Sequence, residues 1–135
     1  MAKLFSDEWI NNLKDAWNDA PDVKDKLADI SFNSTITCGY KEDENPCCVF
    51  VVKNGEAISA GLYNGESADW DMRADQADWD KWIAKPLGMT GMGIAFTTGK
   101  LKFRTGDYGS MIKNPAMAGP FIKSFALMHQ IGADA

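Results

Sequence analysis

A chain of 135 residues, 45% hydrophobic and 24% charged, is long enough for one domain with one real core. Its formal net charge of -5 argues against a nucleic-acid partner, because phosphate backbones are held by clustered cations, and leaves a neutral or amphipathic ligand open. No run of about 18 apolar residues exists to span a membrane.

In chain order, "SDEWINNLKDAW" at 6–17 reads as a helix. Ser6 caps it, Asp7 and Glu8 suit the positive end of the dipole, and Trp9, Ile10, Leu13 and Trp17 form one apolar stripe. After a break at 18–21, a short helix at about 22–28 offers Val23 and Leu27. The period then changes to two. In "SFNSTITCGY", Phe32, Ser34, Ile36, Cys38 and Tyr40 share a face. "KEDENP" is a polar turn, and "CCVFVV" at 47–52, apolar on both faces, belongs inside a sheet. Asn54-Gly55 and Asn64-Gly65 each signal a hairpin around the strand "AISAGLY". "ADWDMR" alternates again, with Ala68, Trp70 and Met72 opposite Asp69, Asp71 and Arg73. Four such strands make an antiparallel meander.

Asp75 caps a helix carrying Trp79, Trp82 and Ile83, which Pro86 ends. "LGMTGMGIAF" at 87–96 is an irregular or short helix. In the strand "GKLKFRTGD", Lys100, Lys102 and Arg104 face one way, toward water, and Leu101 and Phe103 the other. Asp107 caps a short helix at about 107–113, and Asn114-Pro115 has the cap-plus-first-turn form of a last helix. Gly119-Pro120 is expected to kink or interrupt that helix. The order implies an α+β fold in one domain over 1–135, with helices on one face of a mostly antiparallel sheet.

Chemistry-bearing residues are few. Cys38, Cys47 and Cys48 lack chelating spacing, His129 is the one histidine, and both sets read as structural or surface groups. The run Asp69, Asp71, Asp75, Asp78 and Asp80 has no central glycine for calcium and reads as the wet face of a strand and the exposed start of a helix. "TGDYGSM" lacks the Lys-Ser/Thr end of a phosphate loop. No catalytic residue, metal site or cofactor is expected. What remains is an apolar surplus between 89 and 128, where Met117, Phe121, Phe125 and Met128 form a stripe. Such a stripe is either core or the flexible wall of an apolar pocket.

In "KNGEAISAGLYNGESADWDMRADQADWDKWI" and "FTTGKLKFRTGDYGSMIK" the sequence resembles the sterol carrier protein-2 family of small lipid-carrier domains. The resemblance implies a five-stranded sheet covered on one face by helices, with an apolar tunnel between them. It implies binding of fatty acids, fatty acyl-CoA, sterols or phospholipids. By position, the tunnel residues it implies are Trp79, Trp82, Ile83, Met89, Met92, Ile94, Phe96, Phe103, Met111, Ile112, Met117, Phe121, Phe125 and Met128. The expected partner is an apolar small molecule or lipid, with transient membrane or enzyme contact and a monomeric or dimeric state. The start lacks the apolar stretch of a secretory signal, the end "GADA" is not a peroxisomal tripeptide, and three cysteines fit a reducing compartment, so a cytoplasmic protein is expected. Two functions stay open: a non-catalytic carrier, and an accessory subunit that presents a hydrophobic or aromatic substrate to a catabolic enzyme or itself turns it over. A structural domain with a filled core is the third possibility.

Overall fold

The computed structural model describes residues 2–134. Helix α1 spans Asp7–Asn18, and the Ser6 side chain accepts the Trp9 N–H at its start. Its stripe of Trp9, Ile10, Leu13 and Trp17 is buried as expected. Helix α2, Pro21–Ala28, takes proline in its first turn, where no backbone donor is lost, and buries Val23 and Leu27.

Strands β1 (Ser34–Tyr40), β2 (Cys48–Lys53) and β3 (Glu56–Leu62) form an antiparallel meander. The β2–β3 turn is the Asn54-Gly55 hairpin, with φ of 50° and 82°. A Cβ on Gly55 would lie 2.4 Å from the Lys24 carbonyl oxygen, so only glycine lets this turn press on α2. The Trp17 indole N–H donates to the Gly55 carbonyl at 2.9 Å and locks the same corner.

The meander stops there. β4 (Trp70–Ala74) pairs in parallel with β1, and β5 (Lys102–Thr105) pairs antiparallel with β4, giving the order β3-β2-β1-β4-β5. The four-strand meander and the second hairpin at Asn64-Gly65 are therefore corrected. β3 and β4 run the same way, so residues 63–69 must carry the chain back past β2 and β1. β2 lies inside the sheet, and β1 is its centre. The sheet is five-stranded and mostly antiparallel.

Helix α3 is Gln76–Ala84, α4 Met89–Thr97, α5 Tyr108–Ile112 and α6 Pro115–Ile131. Asp75 precedes α3 without a side-chain capping bond; it pairs with Lys41 at 3.6 Å instead. Asp107 and Asn114 cap α5 and α6 as their sequence positions suggest. The expected interruption of α6 does not occur. The helix runs unbroken through Pro120, which removes one helical hydrogen bond. α6 packs on α1, α2, α3 and α5, while α1 covers β2 and β3. The chain ends meet where the Trp9 indole donates to the Gly132 carbonyl at 2.8 Å.

The acidic run is only partly wet. Asp71 and Arg73 are buried together, with Arg73 1% exposed and its Nε 2.7 Å from Asp71 Oδ1. The Arg73 guanidinium also donates to the carbonyls of Tyr40, Asp43 and Glu44, which satisfies the buried cation. Arg104, although exposed, is not simply solvated: it donates to the Lys41, Asp43 and Glu44 carbonyls. Two arginines thus pin the turn that the sequence marks only as polar.

Candidate functional site

The inward face of the sheet and four helices enclose an apolar cavity of about 50 Å³. α1 gives Leu13 and Trp17, and α2 gives Leu27. Phe32, Ile36 of β1, Phe50 of β2, Trp70 and Met72 of β4, and Phe103 of β5 form the floor. Met111 of α5 and Met117, Pro120, Phe121, Ser124 and Met128 of α6 form the opposite wall. The floor follows from strand alternation: Ile36, Phe50, Met72 and Phe103 sit on one face because each is in register with its neighbour, Ile36 opposite Phe50 and Met72 opposite Phe103.

The polar atoms of this wall are already engaged. Ser124 Oγ donates to the Phe121 carbonyl within α6. The Trp17 indole N–H is bound to Gly55, and that of Trp70 donates to Ser34 Oγ at 3.3 Å. Among the described residues no buried side-chain polar atom lacks a partner. The cavity therefore offers hydrophobic surface and no free hydrogen-bond donor, so it selects for a molecule, or a part of one, with few polar atoms to desolvate.

Gly106 fixes one corner. Its φ is 106°, and a Cβ there would fall 2.3 Å from the Trp70 ring. The absent side chain lets the end of β5 lie on that indole, which also meets Phe103 at 6.1 Å between centroids, nearly perpendicular. Outside the α6 wall lies a second, wider depression of about 590 Å³. It is bordered by Asp22, Lys26 and Asp29 on the α2 side and by Pro115, Gly119 and Lys123 on α6. Pro120 borders both spaces.

Of the residues expected from sequence, the structure brings Phe103, Met111, Met117, Phe121 and Met128 to the cavity. Trp79, Trp82, Ile83 and Phe125 lie beside it in a closed cluster: Trp79 stacks on Phe125 at 6.2 Å and meets Trp82 edge-on at 5.4 Å. Met92 is fully buried under α4, and Ile112 is partly buried on the core. Met89, Ile94 and Phe96 are on the outside. The residues missed are those of α1, α2 and the sheet floor. Their signal was the inward face of each periodic segment, with Trp70 and Met72 on one side of a strand.

Few groups here have the makings of a reactive centre. Burial pushes the Cys48 thiol well up, with neighbouring Cys38 adding to it, and burial also raises Cys47. Both stay protonated at neutral pH, as inert cysteines do. His129 is exposed, and its Nδ1 lies 2.7 Å from the Ile83 carbonyl oxygen. Among the described residues no group of three or more His, Cys, Asp or Glu side chains is gathered as a metal would require.

No family model matches the sequence, and no curated protein matches it. Solved structures do. A crystal structure of sterol carrier protein 2 superposes with a TM-score of 0.75 at 15% identity, over 95% of this chain and 98% of that one. A conserved hypothetical protein from Thermus thermophilus, described as possibly a sterol carrier protein, gives 0.68 at 16% identity over 99% and 93%. UbiJ-SCP2, a ubiquinone synthesis protein, gives 0.53 at 13% over 88% and 84%. The chain has the sterol carrier protein 2 fold.

Proposed function

We propose that this chain is a member of the sterol carrier protein-2 family that binds and transfers apolar ligands without catalysing their conversion. The ligand class is fatty acids, fatty acyl-CoA, sterols or molecules of like character. The observation that carries the reading is the cavity between sheet and helices, whose lining is apolar and whose polar atoms are all engaged elsewhere. An acyl chain or sterol ring placed there would gain by burial alone, at about 25 cal/mol for each Å² removed from water. A polar headgroup would have to stay outside.

The cavity of about 50 Å³ exceeds the roughly 10–15 Å³ that admits one water, yet it falls well short of a sterol. Uptake therefore requires the wall to move and the cavity to open into the tunnel that the resemblance implies. Met117 and Phe121 are the side chains for this. Both are only partly buried, and methionine repacks at small cost. The fold similarity to a ubiquinone synthesis protein favours a second reading, an accessory subunit that presents a hydrophobic substrate to an enzyme.

Organic extraction of purified protein followed by mass spectrometry tests the proposal. A bound lipid at near-stoichiometric yield, or uptake of one after incubation with a lipid mixture, is the expected result. Failure to retain any apolar compound under both conditions would overturn it.

A further inference from the structure

We propose that Cys38, Cys47 and Cys48 form a thiol–disulfide exchange site, in which a low-molecular-weight disulfide oxidises the chain through Cys47 and leaves a Cys38–Cys48 disulfide across β1 and β2. Cys38 and Cys48 stand directly opposite each other on these antiparallel strands. Facing residues of such strands have Cα atoms about 4.5–5.5 Å apart, inside the roughly 4.4–6.8 Å that a disulfide spans. Two positions along, Ile36 and Phe50 face each other on the cavity floor, so strand alternation puts both cysteines on the same inward side. The Cys48 thiol is hydrogen-bonded to Cys38. Cys38 is 1% exposed and Cys48 0%, so neither meets an oxidant directly.

Cys47 brings a third thiol beside this pair and supplies the way in. Its N–H donates to the Cys38 carbonyl at 2.8 Å, and the residue is only partly buried. Burial, and then the Asp43 carboxylate, raise its thiol above the ordinary range; the Arg73 guanidinium and the Tyr40 N–H pull the other way. The thiolate is the attacking form, so the first reaction is slow and set by the concentration of the oxidant. The steps that follow are between groups the fold already holds together, which makes them fast by comparison.

Three exchanges carry the electrons. Cys47 Sγ loses its proton, attacks one sulfur of the external disulfide and expels the other half as a thiolate, which takes up a proton. Cys38 then attacks the Cys47 sulfur and expels the second external thiol. Cys48 attacks the Cys38 sulfur and returns Cys47 as a free thiol. One external disulfide is reduced to two thiols, and the Cys38–Cys48 pair gives up two electrons and two protons. The product closes a loop over residues 38–48. Arg73 and Arg104 already hold that turn through the carbonyls of Tyr40, Lys41, Asp43 and Glu44, so its ends need little movement to be joined. Neither Cys38 nor Cys48 lines the cavity, and the cross-link forms whether or not an apolar ligand is bound.

Incubation of the folded, freshly reduced full chain with glutathione disulfide tests this, with the remaining thiols trapped by N-ethylmaleimide. Lys41 lies between Cys38 and the Cys47–Cys48 pair, so trypsin places them on separate peptides for mass spectrometry. The expected product is a disulfide joining those two peptides, with the maleimide on Cys47. Its melting temperature should exceed that of the reduced chain by several degrees, because the cross-link restrains the unfolded state, and dithiothreitol should reverse the change. Cys47→Ser should give the same cross-link roughly tenfold more slowly, since the entry thiol is gone. Circular dichroism checks that variant, and Cys47→Ala replaces it if serine disturbs the fold. The proposal is overturned if all three thiols stay free in the folded chain, or if the cross-link forms only in urea. It is equally overturned if glutathione remains on Cys47, if the maleimide ends on Cys38 or Cys48, or if the Cys47 variant oxidises at the wild-type rate.

Discussion

Two aromatic clusters lie side by side against α6, built from the same residue types and packed to opposite ends. Around Trp79, Phe5 meets the indole edge-on at 5.2 Å, Trp82 does so at 5.4 Å, and Phe125 stacks on it. The Trp79 N–H donates to the Gly39 carbonyl at 2.9 Å, and the ring has no exposed surface. One helical turn before Phe125, Phe121 meets Phe103 at 5.9 Å and Tyr108 at 6.5 Å, and it stays partly open beside the cavity. The difference is not composition. In the closed cluster a ring from every side fills the space and a hydrogen bond fixes the indole; in the open one the opposing floor falls short of the wall. Packing of the first kind makes a core, and packing of the second kind leaves room for something else.

The contrast predicts its largest effect on the closed side. Trp79→Ala should destabilise the chain by about 3–5 kcal/mol, read as the change in urea-unfolding free energy, because it opens a cavity and removes the indole hydrogen bond to the Gly39 carbonyl. Phe121→Ala removes a ring that is already partly solvated, and about 1–2 kcal/mol is expected from the smaller area lost. Equal losses at the two positions would erase the distinction.

Gly106→Ala attacks the floor without touching either cluster. The new Cβ would meet the Trp70 ring, and the positive φ disfavours any side chain. The ring must shift toward the cavity, so affinity for a fluorescent fatty acid should fall several-fold while the Trp79 side keeps its near-ultraviolet circular dichroism.

A smaller effect comes from alkali. Tyr40 packs against Phe5 in the closed region, and burial raises its hydroxyl to about 12 from 10.0. A pKa raised in the folded state favours folding fully below the unfolded value, and that contribution is lost as pH rises through the folded one. Melting temperature should therefore drop between pH 10 and 12, and Tyr40→Phe should flatten that part of the profile.

Much of this fold was legible because its signals are local. Ser6, Asp107 and Asn114 are capping residues placed before apolar periodicity, and Asn54-Gly55 supplies two positive-φ positions. Strand partners were not legible. Alternation shows that 70–74 is a strand, but nothing in it distinguishes the next place in a meander from a parallel seat beside β1. The buried Asp71–Arg73 pair was hidden for a related reason: an acid and a base two apart look like a solvated face until the turn folds over them. The cavity was half legible. The stripe on α6 announced an apolar wall, yet core and pocket share one periodicity. Phe125 fell to the closed cluster and Met117, Phe121 and Met128 to the cavity because of what stands opposite each, which only the sheet determines.

The central claim is that the space between the sheet floor and Phe121 holds an apolar ligand. Its most direct test is titration of a fluorescent fatty acid into wild type and Phe121→Asp, with thermal melts of the same samples. The account predicts saturable binding to wild type with energy transfer from Trp17 and Trp70, which line the cavity. It predicts loss of that binding in Phe121→Asp with cooperative melting retained, because an open wall admits water to the carboxylate where a closed core would not. Outright unfolding of Phe121→Asp, together with a wild type that takes up no fatty acid, acyl-CoA or sterol, would contradict it and make the α6 stripe ordinary core.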